Sequence, residues 1–442
     1  MKMTIKTVIE WQQDGALLVE DGNHGENRPR KDEFTDAGMA FIRAADMAGY
    51  QVQFETAEKI NQTAQNRVRK GIGRGGDILI SHKGTIGRVA RVPMECPSFV
   101  CSPQTTFWRV LDPGKIDPDF LFALIRSPKF QSEFAVRAGE TDMAGYVSLT
   151  SQRALELELP SITTQRVIGQ TIAPLDDKIE SNRRMNETLE EIARVLFRDW
   201  FLDFGPTRRQ MDGATDPTAI MGNAFPPDKA ATLAPLFPEK LGDDGLPRRW
   251  SEQPLDQIAH FLNGLALQKF PAKPGQPDLP VVKIAELRSG VSAKSNRASM
   301  EVPDKYVIGN GDFIFSWSGS LLAKFWTDGP GALNQHLFKV TSESHPMWFV
   351  GEWVQTHLEE FQRIAAAKAV TMGHIKRSHL SEAMCVCPKT DSIEKLGEFI
   401  EPLILKQIAN EEENQNLAKM RDLLLPKLMS GEISLRNAQA TP

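Results

Sequence analysis

A chain of 442 residues exceeds what one ordinary hydrophobic core supports and implies two to four domains. With 41% hydrophobic and 25% charged residues it reads as a soluble globular protein, and no apolar run approaches the roughly 18 residues that a membrane-spanning helix needs. The net charge of −5 excludes a uniformly basic nucleic-acid binder, and four cysteines are too few for a disulfide scaffold.

The opening "MKMTIKTVIEWQQDG" has no apolar stretch followed by small residues, so no secretory signal is expected. Cys96 and Cys101 lack metal-ligand spacing, while Cys385 and Cys387 alternate as strand core would. A reduced, cytoplasmic protein is the expectation. Residues 59–91 carry eight Lys/Arg against one acid, Asp77, a local charge of +7 hidden by the average.

Within residues 1–160, short strands are predicted at "GDILIS", "FVCSP" and "ELELP", with helix over "DPDFLFALIRSPKFQSEF". Two polar turns stand out: "SHKGTIG" and "GETDMAGYVSLTSQR" (139–153). Residues 161–204 follow as one long helix. Positions 168, 172, 175, 179, 182, 186, 189, 193 and 196 step by four and three, a coiled-coil seam that includes Ile172, Leu175, Leu189 and two asparagines, Asn182 and Asn186. A buried Asn costs stability and fixes register. Residues 205–246 are Pro-rich and read as a linker or extended strap.

Residues 247–388 then repeat the first unit. "FIRAADM" (41–47) aligns with "VVKIAEL" (281–287), "GDILISHKGTIG" (76–87) with "GDFIFSWSGSLL" (311–322), and "PQTTFWRV" with "NQHLFKV", placing Gln104 over Gln335 and Phe107 over Phe338. Strands are predicted at "GDFIFS", "FKV" and "AMCVC", helix over "PMWFVGEWVQTHLEEFQRIA", and a second polar loop at "KAVTMGHIKRSHL" (368–380). Residues 389–435 form the second long helix. At a constant offset of 228 its Ile400, Leu403, Asn410, Asn414 and Leu417 fall under the first seam, and 436–442 is a tail. Two such helices in one chain most simply pack together, and a long strap between them favours the antiparallel arrangement.

No catalytic constellation emerges. "GIGRGGD" is not a phosphate-binding loop, no His cluster has ligand spacing, and Asp176-x-Lys178 reads as a solvated helix face rather than a nuclease pair. What remains is recognition. Lys, Arg, His and small hydroxyls on turns suit phosphates and base edges. In the first copy these are Ser81, His82, Lys83, Thr85 and Arg88, with Lys70, Arg74 and Tyr146 beside them. The second copy offers Ser316, Trp317, Ser318, Ser320 and Lys324, then His374, Lys376 and Arg377. The apolar frame is kept and the polar turns vary, as two different readouts would require.

Two "GD-(apolar)3-S…G" elements, each closed by a long helix, together with "LGDDGLPRRWSEQPLDQIA" before the second unit, resemble the specificity subunit of type I restriction-modification enzymes across nearly the whole chain. The resemblance implies an α+β protein of two mixed α/β target recognition domains, with an internal pseudo-twofold repeat. The two long helices between them would form an antiparallel coiled coil whose length sets the gap of a split DNA site. It further implies double-stranded DNA and two methyltransferase subunits as partners, joined by a restriction/translocase subunit. S-adenosylmethionine would belong to the methyltransferase, with no cofactor, metal or catalytic residue on this chain. The first copy lacks the full Pro247, Trp250, Leu255, Ile258 lead-in, having only "VIEWQQDGALL". Two other readings stay open: a self-contained enzyme, which activity of the isolated chain would reveal, and a coiled-coil adaptor without DNA readout. DNA binding that falls steeply with salt would separate the adaptor from a DNA reader.

Overall fold

The computed structural model describes residues 3–138, 145–367 and 373–433. It divides into two compact units, Met1–Glu180 with Asn416–Pro442, and Ser181–Gln415. In the first, six short strands form a sheet in the order Leu17–Asp21, Thr105–Val110, Ile78–Ser81, Val89–Arg91, Gln51–Val52, Met47–Ala48. Every residue of Ile78–Ser81 is buried, because the sheet is covered on both faces. Ile78, Ile80 and Trp108 share a core with the Pro118–Arg126 helix and Ile168, while Leu79 and Phe107 meet the strands Met39–Ile42 and Phe99–Cys101 on the opposite side.

The second unit repeats this plan. His260–Asn263, Leu337–Thr341, Phe313–Ser316 and Ala323–Phe325 follow the same strand order, and Asp278–Val282 lies parallel to Gly331–Leu333 as Met39–Ile42 does to Phe99–Cys101. The lead-in is repeated too. Thr4–Thr7 pairs with Glu156–Leu159, and Val8 N donates to Leu155 O at 2.9 Å; Ser251–Pro254 pairs with Met384–Cys387, and Leu255 N donates to Ala383 O at 2.8 Å. Val8 and Trp11 therefore stand where Leu255 and Ile258 stand in the second copy.

The Gly-Asp pair has a structural cause. Gly76 and Gly311 turn the chain at φ +83° and +87°, a region that disfavours other residues. Asp77 accepts from Arg74 N at 2.7 Å and Asp312 from Gly309 N at 2.8 Å, closing the turn that launches the strand. A cation on the neighbouring strand neutralises each carboxylate: Arg109 on Asp77 at 2.7 Å, Lys339 on Asp312 at 2.8 Å.

One alignment needs correction. Thr106 lies opposite Ile80, and Phe338 lies opposite Phe315, so Phe338 matches Thr106 and Gln104 matches His336. A one-residue slip moves a side chain to the other face of a sheet. Phe107 accordingly packs with Leu79, and Phe338 with Phe315 on the helix side.

The long helices are Ile162–Phe201 and Thr390–Ser430. They contain Gly169 with Pro174 and Gly397 with Pro402, again at an offset of 228. A Cβ at Gly169 would come within 3.1 Å of Phe120 N, and one at Gly397 within 2.5 Å of Trp348 Nε1. Each glycine is thus a crossing point where the long helix touches the matched helix of its own unit. Within the second unit the helices run antiparallel: Asn182 Nδ2 donates to Asn414 Oδ1 at 3.0 Å and Asn410 Nδ2 to Asn186 Oδ1 at 2.8 Å. In that unit Ile400 is fully buried, with Leu189 and Leu403 half-buried; in the first unit Ile172 is buried, with Leu175 and Leu417 half-buried.

Two expectations fail. The Pro-rich segment is not an extended strap. It folds as three short helices, Gly205–Met211, Pro217–Ile220 and Pro227–Leu233, with prolines in their first turns, where a missing N–H costs nothing. Its Phe225 and Phe237 pack on Trp200 at ring distances of 6.0 and 5.7 Å. Nor is Asp176 on a solvated face: Arg126 and Arg421 hold it between them.

Candidate nucleic-acid interface

In both units one end of the sheet gathers the polar turns. Antiparallel pairing of Leu17–Asp21, Thr105–Val110 and Ile78–Ser81 places residues 21, 105 and 81 at a common edge, from which the 82–87 loop projects. The loop is closed by its first serine. Ser81 Oγ accepts from Arg88 N at 2.9 Å; Ser316 Oγ accepts from Leu322 N at 2.9 Å and donates to Ser320 O at 2.8 Å. Gly84 and Gly319, at φ +76° and +66°, make the tips.

The second polar loop docks against the first in each copy. Gly84 N donates to Gly145 O at 3.2 Å and Val147 N to His82 O at 2.9 Å; Gly319 N donates to Gly373 O at 2.8 Å and Ile375 N to Trp317 O at 3.0 Å. Lys83 thereby faces Tyr146, its ammonium 5.9 Å from the ring, and Ser318 bridges to His374. The remainder of both expected loops, 139–144 and 368–372, lies outside the described residues. Gln152, fully buried, pins the first copy by donating to Thr106 Oγ1 at 3.0 Å and Val147 O at 3.2 Å.

The sequence-derived candidates divide sharply. Lys83, Thr85, Arg88, Ser320 and Lys376 are exposed on these loops, and Tyr146, Trp317 and His374 are half-buried beside them. Lys70 is exposed next to Gly71, which lies against Gly22 at the same end of the unit. Arg377 is exposed, yet its guanidinium donates to Phe261 O at 3.3 Å. The others need correcting. Ser81 and Ser316 are fully buried because their hydroxyls hold the loop shut, and Ser318 is buried against His336, Oγ to Nδ1 at 2.9 Å. His82 is 1% exposed, with Nδ1 on Val147 O at 3.0 Å, and desolvation lowers its pKa. Arg74 sits before the strand, at the end away from the loop, and the four-residue strand alone spans roughly 13 Å. Lys324 lines a cleft of about 600 Å³ with Glu190, Glu352 and Glu411 instead. The +7 stretch is partly neutralised from afar: Arg67 by Glu33, Arg91 by Asp119.

Sequence reasoning missed four residues at this edge: Asp21, Gln104, Asn263 and His336. Each lies at or just before a strand end, in segments not read as strands or read one residue out of step. The glycines that follow Asp21 and Asn263 were a usable signal. A Cβ on Gly22 would fall 2.1 Å from Cys101 O and one on Gly264 2.3 Å from Asn334 O, so the same tight passage recurs.

Among known proteins, the family model described as type I restriction modification DNA specificity domain matches residues 21–191, which span this first interface and most of the first long helix. Over that segment the chain is similar to the family. Relatives of this specificity family extend the match over most of the chain. The HindI specificity subunit of Haemophilus influenzae is 26% identical over 83% of this chain and 88% of its own length. The MjaIX specificity subunit of Methanocaldococcus jannaschii is 23% identical over 91% and 88%. The crystal structure of a type I restriction-modification S subunit from M. genitalium shares the fold at a TM-score of 0.53 and 14% identity, covering 97% of this chain and 96% of that one.

Proposed function

We propose that this chain is the DNA-recognition subunit of a type I restriction-modification complex. The observation that carries this reading is one frame used twice. The Gly-Asp turns, serine latches and docked second loops coincide, while the side chains at the edge differ: His82, Gln104 and Tyr146 in one copy, Trp317, His336 and His374 in the other. Residues 1–160 and 247–388 are the two target recognition domains, each taking one block of a split double-stranded site. Exposed Lys70, Lys83, Arg88 and Lys376 supply phosphate contacts.

In this reading the chain is not itself an enzyme. Methylation falls to two methyltransferase subunits, one docked on each repeat half, which carry S-adenosylmethionine; a restriction/translocase subunit completes the assembly in the cytoplasm. Among the described residues no helix is long and apolar enough to cross a membrane. The test is a map of methyladenine in cells expressing the chain with its methyltransferase subunit. A split motif, two short blocks around a fixed gap, present only with this chain is the expected result. Unmodified DNA despite an assembled complex would overturn the proposal in favour of an adaptor without readout.

A further inference from the structure

Asp21 and Asn263 occupy the same rung of the two sheets. Thr106 lies between Asp21 and Ile80, and Phe338 lies between Asn263 and Phe315. The next residue beyond the latch serine, His82 or Trp317, leans over this rung, and there the two copies part. Trp317 Nε1 donates to Asn263 Oδ1 at 2.9 Å. An indole nitrogen only donates, so the amide orientation is fixed and Nδ2, with two N–H groups, is left to face outward on an exposed residue. In the first copy nothing equivalent forms among the described residues. His82 Nδ1 lies 3.0 Å from Val147 O and is therefore the protonated nitrogen, so Nε2 of the neutral ring can only accept; that atom is buried with no partner among the described residues. Asp21 is 7% exposed, and among the described residues its carboxylate accepts one long 3.3 Å contact, from Asn23 N. A recessed carboxylate that accepts so little from its own chain keeps acceptor capacity for an incoming donor.

Resting on the DNA-recognition reading above, we infer that this rung reads bases with opposite hydrogen-bond polarity in the two half-sites. Asp21 takes an exocyclic amine, cytosine N4 or adenine N6, in one block; Asn263 Nδ2 donates to a keto base, guanine O6/N7 or thymine O4, in the other. The major groove offers these as its donor and acceptor groups, and a carboxylate repels the keto edge while accepting from the amine. Asp21→Asn makes the first rung chemically like the second, and N263D does the reverse.

Both variants are to be expressed with the methyltransferase subunit and the methyladenine motif mapped, followed by methylation rates on oligonucleotides carrying each base in turn. For D21N, the preference for an amino over a keto base at one position of one block should collapse from about 5- to 150-fold toward parity, the other block being unchanged. N263D should do the same in the other block, and as a change at an exposed residue it keeps the test alive if D21N fails to fold. A wild-type split motif with unchanged preferences in both variants would overturn this inference alone. So would uniform weakening at every position, the mark of a phosphate contact. Absence of any split motif with the wild-type chain would overturn the recognition reading and this inference with it.

Discussion

Asp176→Asn tests how the first unit is fastened to its helices. Asp176 on the first long helix lies between Arg126, on the Pro118–Arg126 helix, and Arg421, on the second long helix; Arg126 reaches Oδ1 at 2.9 Å and Arg421 reaches it at 3.0 Å. The two arginine side chains are only 6% and 9% exposed, and Tyr50 lies against both guanidinium groups, 4.9 and 5.2 Å from its ring. Removing the central charge leaves two buried cations facing each other. Breaking a buried pair from one side costs about 3–5 kcal/mol. Arg421 keeps Asp422 at 2.8 Å, so the lower end, about 3 kcal/mol, applies. The assay is the denaturant midpoint of the first unit's transition at unchanged slope. Acid gives a second readout. Burial pushes the Asp176 carboxyl up, but hydrogen bonds and charge from Arg126, joined by Arg421, outweigh it and hold the group below its usual value. A depressed pKa contributes stability that is present above the unfolded value and lost as pH falls through the folded one, so the wild type should weaken below about pH 4 and D176N should lack that component. A loss under 1 kcal/mol, or an unaltered acid limb, would refute the argument.

Replacing Asn182, Asn186, Asn410 and Asn414 together by Leu should raise the melting temperature while degrading register, read as a changed gap in the methylated motif or poorer partner assembly; an unchanged gap and assembly would remove the asparagines' role. Exchanging residues 82–87 for 317–321 should alter one block of the motif only, and changes in both blocks would contradict independent domains. Glu352, in the cleft with Lys324, is pushed up to about 7 by burial, then by the Glu190 charge, against a smaller opposing pull from Arg194. Stability should therefore fall as pH rises from about 4.5 to 7, and Glu352→Gln should abolish that fall and stabilise the protein at pH 8 by on the order of 2 kcal/mol in denaturant titrations.

The duplicated plan was legible in the sequence because its signals are local. Gly76-Asp77 and Gly311-Asp312 need a positive φ and a carboxylate within three residues, and the heptad needs only a period. The strands Ile78–Ser81, Phe313–Ser316 and Met384–Cys387 and the antiparallel helices with paired asparagines followed from those patterns. What only the tertiary structure decided was the direction each polar group faces. Ser81 and Ser316 look like surface hydroxyls until Arg88 N and Leu322 N are brought back upon them. Asp176 looks solvated until Arg421, 245 residues on, arrives. The sheet register, which exchanges Phe107 for Thr106 as the match of Phe338, depends on a neighbouring strand that no local pattern specifies. The recognition rung of Asp21 and Asn263 stayed invisible for the same reason: it is assembled from strands far apart in the chain, and only pairing brings them level.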